Sequence, residues 1–144
     1  MLSFMEHEAL NEKISSSQLK QLEKYLNNLF NDELGLGIDF TKHFEERVND
    51  PRTKVAYGKD ITIGELRDVF RDTARKFKSE LSNLPKTANG HMINISNQLD
   101  IPFVIRQDRK TGELELAAKT VVKRKEAWIK RAKPQDGQKV YKTE

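Results

Sequence analysis

Hydrophobic positions along the chain change their period once, near residue 90, and that change divides the sequence into a helical first part and a strand-rich second part. Across residues 17–30, Leu19, Leu22, Leu26, Leu29 and Phe30 recur at helical spacing, with Ser15, Ser16 and Ser17 as N-cap candidates. Gly35-Leu36-Gly37 breaks the run. Asp39 is placed to cap a second, shorter helix whose apolar stripe is Phe40, Phe44 and Val48. Asn49-Asp50-Pro51 ends it, because proline disfavours helix in the residue before it. Residues 52–59 read as an irregular loop. Thr62 and Glu65, three apart, form a capping box that opens the longest helix. Ile63, Leu66, Val69, Phe70, Ala74, Phe77 and Leu81 share one side of it until Pro85 stops it.

Asn89-Gly90 reads as a turn, and alternation replaces helical spacing after it. Residues 92–96 and 103–107 are predicted strands, residues 108–112 a turn, and residues 114–122 the return strand of a hairpin. Pairing Asp108 with Glu113 sets Ile105 opposite Leu116, Phe103 opposite Ala118, and Arg106 opposite Glu115. One face then carries Phe103, Ile105, Leu114, Leu116, Ala118, Thr120 and Val122. The other carries Val104, Arg106, Glu115, Ala117, Lys119, Val121 and Lys123. The pattern predicts an α+β fold, N-terminal helices packed on a small antiparallel sheet. It divides the chain into a flexible leader at 1–14, a single domain at 15–131 and a disordered basic tail at 132–144.

Composition narrows the function classes. At 144 residues the chain has the length of one domain, and 33% charged against 36% hydrophobic residues means a modest core under a highly charged surface. No apolar run approaches the roughly 20 residues of a membrane span. No basic stretch followed by an apolar one marks a signal peptide. The absence of cysteine removes disulfides, thiolate ligands and a cysteine nucleophile, and fits a reducing, intracellular setting. His7, His43 and His91 are far apart and make no metal-ligand pattern, so neither a metal nor another cofactor is expected. Charge is uneven: residues 1–100 hold 14 basic and 16 acidic side chains, residues 101–144 hold 12 and 6. A positive final third on a near-neutral body suggests a polyanionic partner; a solubilising tail is the alternative.

Three groups of residues can carry chemistry. The basic run Lys119, Lys123, Arg124, Lys125, Lys130, Arg131 and Lys133 contains one acid, Glu126, and can neutralise several phosphates. Within it Trp128 either stacks on a base or plugs the core. His43 and Arg47 lie one turn apart on the second helix. The imidazole can exchange a proton near neutrality, and the guanidinium can grip a phosphate through two nitrogens. Together they suit metal-independent RNA cleavage, in which one group deprotonates the 2′-hydroxyl, another protonates the leaving oxygen and cations stabilise the phosphorane. His91 is a further acid/base candidate, and Tyr57 can stack or pack. No paired-carboxylate spacing of a metal nuclease and no Gly-x-Ser-x-Gly occurs.

The block Lys42-His43-Phe44-Glu45-Glu46-Arg47-Val48, with Ile61 to Leu66 and Phe70, resembles the opening helices of small phage endoribonucleases of the RegB type. Ile101 to Ile105 and Leu116 to Lys125 resemble their hairpin. More distantly the arrangement is similar to the barnase–EndoU–colicin–RelE superfamily. The resemblance covers roughly residues 39–125 and implies metal-independent cleavage of single-stranded RNA. It makes His43 and Arg47 the catalytic pair, Thr120 the contribution of a strand end, and Arg106, Lys119, Lys123, Arg124 and Lys125 the backbone-binding cations. The chain departs from the pattern in lacking a clear second histidine after the first helix pair. The alternative is a non-enzymatic nucleic-acid-binding or internal head protein of the same fold. Residues 1–12 resemble capsid-targeting leaders of tailed phages, and Leu10-Asn11-Glu12 resembles a prohead protease site. These likenesses imply the host cytoplasm or the virion as location and a capsid or host protein as a possible further partner, the latter through the face of Phe40 and Phe44.

Overall fold

The computed structural model describes residues 13–134 and 137–144, so residues 1–12 with the Leu10-Asn11-Glu12 motif lie outside the described residues. Ile14, expected in the flexible leader, is buried instead, and Asn49 accepts from its N at 2.9 Å and donates to its O at 2.7 Å. The fold is α+β, helices packed against a six-stranded sheet. Helix α1 (Ser16–Leu34) is set by a capping box. Ser15 Oγ accepts from Gln18 N at 3.1 Å, and Gln18 Oε1 accepts from Ser15 N at 2.8 Å. It buries Leu19, Leu22, Leu26, Phe30 and Leu34 and ends on Gly35, whose φ of 70° is left-handed.

Strand β1 (Gly37–Phe40) follows, although Asp39 was expected to cap a helix. Thr41 is the cap instead: its Oγ1 accepts from Phe44 N at 3.2 Å and opens α2 (Lys42–Val48). The stripe of Phe40, Phe44 and Val48 is buried, and Phe40, Phe44 and Phe70 cluster with ring centroids 4.6–6.4 Å apart. That face is core and presents nothing to a host protein. The expected loop at 52–59 is largely a helix, α3 (Pro51–Tyr57), capped by Asp50 with proline in the first turn. It buries no residue, so hydrophobic spacing gave no sign of it. Helix α4 (Ile63–Lys76) carries the expected capping box of Thr62 and Glu65. Non-helical Phe77 separates it from the short α5 (Lys78–Ser82).

The sheet contains β2 (Asn89–Asn94), β3 (Leu99–Gln107), β4 (Leu114–Ala118), β5 (Val122–Lys123) and β6 (Lys139–Thr143), in the order β1-β4-β3-β2-β6 with β5 on β3. Its centre is antiparallel, while β1 on β4 and β6 on β2 are parallel, so the sheet is mixed rather than wholly antiparallel. The hairpin has the expected register: Ile105 opposite Leu116, Phe103 opposite Ala118, Arg106 opposite Glu115. Asn89-Gly90 begins β2 and is not a turn. A Cβ at Gly90 would lie 2.2 Å from Lys139 O, so β6 needs glycine there to approach.

Two further expectations are corrected. The return strand stops at Ala118, and three residues, 119–121, span two on β3 before β5 resumes the pairing. One extra residue reverses the alternation beyond it, so Val121 and Lys123 turn inward where Thr120 and Val122 were expected to. The tail read as disordered contains β6, whose Tyr141 is buried and stacks on Phe103 with centroids 6.2 Å apart. Short helix α6 (Glu126–Arg131) lies between β5 and β6 in the chain and buries Ile129. No helix among the described residues is long and apolar enough to cross a membrane.

Candidate nucleic-acid edge and histidine pocket

Helices α2 and α3 are tied to the basic segment after β4 at two points. At the start of α2, Thr41 N donates to Ala118 O at 3.2 Å, and Thr41 Oγ1 reaches Ala118 O at 3.0 Å and Lys119 O at 3.1 Å. At the end of α3, the Tyr57 hydroxyl donates to Lys123 O at 3.0 Å, and the Lys125 ammonium sits 4.3 Å from the centre of its ring. His43 and Arg47 belong to the stretch between these ties, so the α2–α3 pair and residues 118–125 share one edge of the molecule. His43 is exposed. Arg47 is 38% exposed and already holds Asp50 at 2.7 Å, the same carboxylate that Arg52 grips at 2.8 Å. Lys119 is exposed and Thr120 half-buried at this edge.

The basic run does not act as one patch. Lys123, Arg124 and Lys125 are consecutive and go three ways. Lys123 is 3% exposed, its ammonium 3.0 Å from Glu65 Oε2 and 2.6 Å from Asn97 O, which locks β5 to the start of α4. A cation so enclosed cannot hold an RNA backbone, and this expectation is corrected. Lys125 joins Tyr57. Arg124 crosses to the other face of the sheet. Arg106, also expected to bind phosphate, is bridged between Asp39 and Glu115, the latter at 2.8 Å. The Glu115 hydrogen bond, with the charge of Asp39, raises its pKa further. Its surroundings are acidic: burial raises the pKa of Glu23, against the hydrogen bond from Phe40 N at 2.6 Å, and Asp39, Glu45 and Glu115 add to the rise. Of the expected site residues, His43, Arg47, Lys119, Thr120 and Lys125 lie on the segments these two ties join, whereas the Lys123 side chain is buried, Arg124 turns to the other face and Arg106 is bridged between Asp39 and Glu115.

Arg124 belongs to a cluster absent from the sequence expectations. Asp100 of β3 is 0% exposed. Its Oδ1 lies 2.8 Å from His91 Nδ1 of β2, and its Oδ2 takes the Arg124 Nε at 3.2 Å. The Arg124 guanidinium rests 4.2 Å from the centre of the Trp128 ring, and the His91 and Trp128 rings meet edge to face at 6.5 Å. Trp128 neither joins the main core nor stands alone in solvent. His91 is 22% exposed and faces a pocket of about 290 Å³, lined also by Trp128, Arg131, Lys133, Gln138 and Val140. Asp100 was the legible signal: a carboxylate inside the apolar run from Leu99 to Ile105 needs buried partners.

No protein-family model matches the chain, and neither a curated protein nor a solved structure matches it.

Proposed function

We propose that the protein binds single-stranded RNA at the α2–α3 edge and cleaves it without a metal ion. The observation that supports this most is the double tie of Thr41 and Tyr57 to residues 118–123. It ties the basic segment 118–125 to the start of α2, the helix that bears His43 and Arg47, the pair that resembles the catalytic residues of RegB-type endoribonucleases. In this reading His43 takes the proton of a ribose 2′-hydroxyl, whose oxygen then attacks the neighbouring phosphorus. The bond to the 5′-oxygen breaks, and that oxygen leaves with a proton supplied by a second donor, for which Lys119 is the candidate. Products are a 2′,3′-cyclic phosphate and a free 5′-hydroxyl. Arg47 keeps nitrogens beyond the one on Asp50 with which to grip the phosphate, and Lys119 and Lys125 add charge. Thr120 supplies a hydroxyl from the stretch between β4 and β5.

The test is incubation of mixed-sequence RNA with the protein in EDTA. Cleavage to cyclic-phosphate ends, falling by about 10²–10⁴ in His43→Ala, is expected; unchanged cleavage in that variant removes His43 from the mechanism. A second reading, RNA binding without turnover, is favoured by the engagement of Arg47 with Asp50. It predicts steeply salt-dependent binding and no product.

A further inference from the structure

The pocket beneath α6 lies away from the edge just discussed and has a construction of its own. Its floor is the second face of the sheet, where Val140 of β6 pairs with His91 of β2, and Ile93 of β2 is fully buried. Helix α6 closes it from above through buried Ile129, which places Trp128 at the wall and Arg131 at the rim. Lys133 completes the rim. Among the described residues the lining carries two full cations and a histidine and no carboxylate. Asp100 lies behind the histidine and is answered by both Arg124 and His91. Because His91 Nδ1 contacts Asp100, Nε2 is the ring atom left for a ligand, and the carboxylate fixes the plane in which it points. The same carboxylate holds Arg124 against Trp128, so the indole is braced as well.

A small cavity with a braced indole wall, an apolar floor, two cations and an imidazole Nε2 at its mouth matches a compact, anionic, partly aromatic ligand. Its volume sits near the lower end of small-molecule sites, too small for a folded partner. We propose that this pocket binds the phosphomonoester of a nucleotide, with Arg131, Lys133 and His91 on the phosphate and Trp128 beside the nucleoside. The nucleotide is either free or the phosphorylated end of an RNA strand. The proposal stands independently of cleavage, because it concerns binding at a separate set of residues.

The chain holds a single tryptophan, so its fluorescence reports on this pocket alone. The full chain is titrated with adenosine 5′-monophosphate, with a 5′-phosphorylated oligoribonucleotide, with the same strand unphosphorylated, with adenosine and with inorganic phosphate. A saturable change with the monophosphate or with the phosphorylated strand, at least ten-fold tighter than with adenosine or the unphosphorylated strand, is expected. The first identifies a free nucleotide and the second a strand end. The Arg131→Ala/Lys133→Ala double variant alters only exposed side chains and is expected to weaken binding ten-fold or more; His91→Gln is expected to weaken it several-fold. The proposal is overturned if neither phosphorylated ligand saturates below millimolar concentration. Equal binding of the double variant overturns it too, as does inorganic phosphate binding as tightly as the nucleotide, which would leave Trp128 no role.

Discussion

His91 and His43 stand in opposite surroundings. His91 grows from the middle of a strand, its Nδ1 held at 2.8 Å by a carboxylate without solvent exposure. His43 stands exposed on a two-turn helix, and the neighbouring Arg47 is half-exposed with one nitrogen on Asp50. The first region is complete before any ligand arrives: Asp100, Arg124, Trp128 and His91 brace one another. The second offers exposed groups that, in the proposed function, a substrate gathers. Preorganised groups serve recognition at little cost in ordering. Exposed ones at an edge can follow a flexible strand, and they reveal their role only when it is bound. The same residue type therefore carries different expectations, and substitutions can set the two regions apart.

The largest effect is expected from the brace. Asp100→Ala leaves Arg124 and His91 without their shared carboxylate. Since Arg124 still reaches water, the loss falls at the lower end of the range for a broken buried pair, about 3 kcal/mol. For a chain of this length that is roughly 10 °C in Tm. His43→Ala, at an exposed site, is expected to change stability by under about 0.5 kcal/mol. Thermal melts of the two variants check this, and equal losses would erase the distinction between the regions.

Next comes the tie at the edge. Tyr57→Phe removes the hydroxyl that donates to Lys123 O, a hydrogen bond contributing about 1 kcal/mol, and loosens α3 from the basic segment. Denaturant unfolding reads the stability change. RNA affinity is expected to fall several-fold while nucleotide binding under α6 stays constant.

The smallest effect lies in the acidic surroundings of Arg106. Burial raises the Glu23 pKa, so the folded protein binds that proton more tightly than the unfolded chain does. Its contribution is therefore most favourable below the unfolded value of 4.5 and is lost as pH rises through the raised folded value. Glu23→Gln keeps an acceptor for Phe40 N and removes the titration. A gain of a few tenths of a kcal/mol is expected at pH 7 for this half-buried group, vanishing near pH 3.5. Unfolding curves at the two pH values are the check.

Local signals were legible in the sequence and long-range ones were not. Thr62 and Glu65 announce a helix start within four residues, and the turn at 108–112 fixes the pairing of Ile105 with Leu116 by itself. Strand β1 is four residues long and joins β4 nearly eighty residues later; β6 hides Tyr141 among lysines and lies beside β2 only because Gly90 admits it. Such pairings depend on the whole sheet. The extra residue at 119–121 shows how a local miss spreads: it turns Lys123 from a presumed phosphate contact into the buried partner of Glu65. His43, Arg47, Lys119, Thr120 and Lys125 could be named from sequence, and they lie on the two segments that Thr41 and Tyr57 join. The His91 cluster could not be assembled, because Asp100 and Arg124 meet only when β5 lies on β3.

The assignment of chemistry to one edge and recognition to the other pocket is tested most directly by measuring single-stranded RNA cleavage in EDTA, side by side, for His43→Ala and His91→Gln. Cleavage lost by at least about 10² in the first, with the rate at saturating RNA retained in the second, is the predicted result. Full activity in His43→Ala together with its loss in His91→Gln would contradict the account and move the acid–base centre beneath α6.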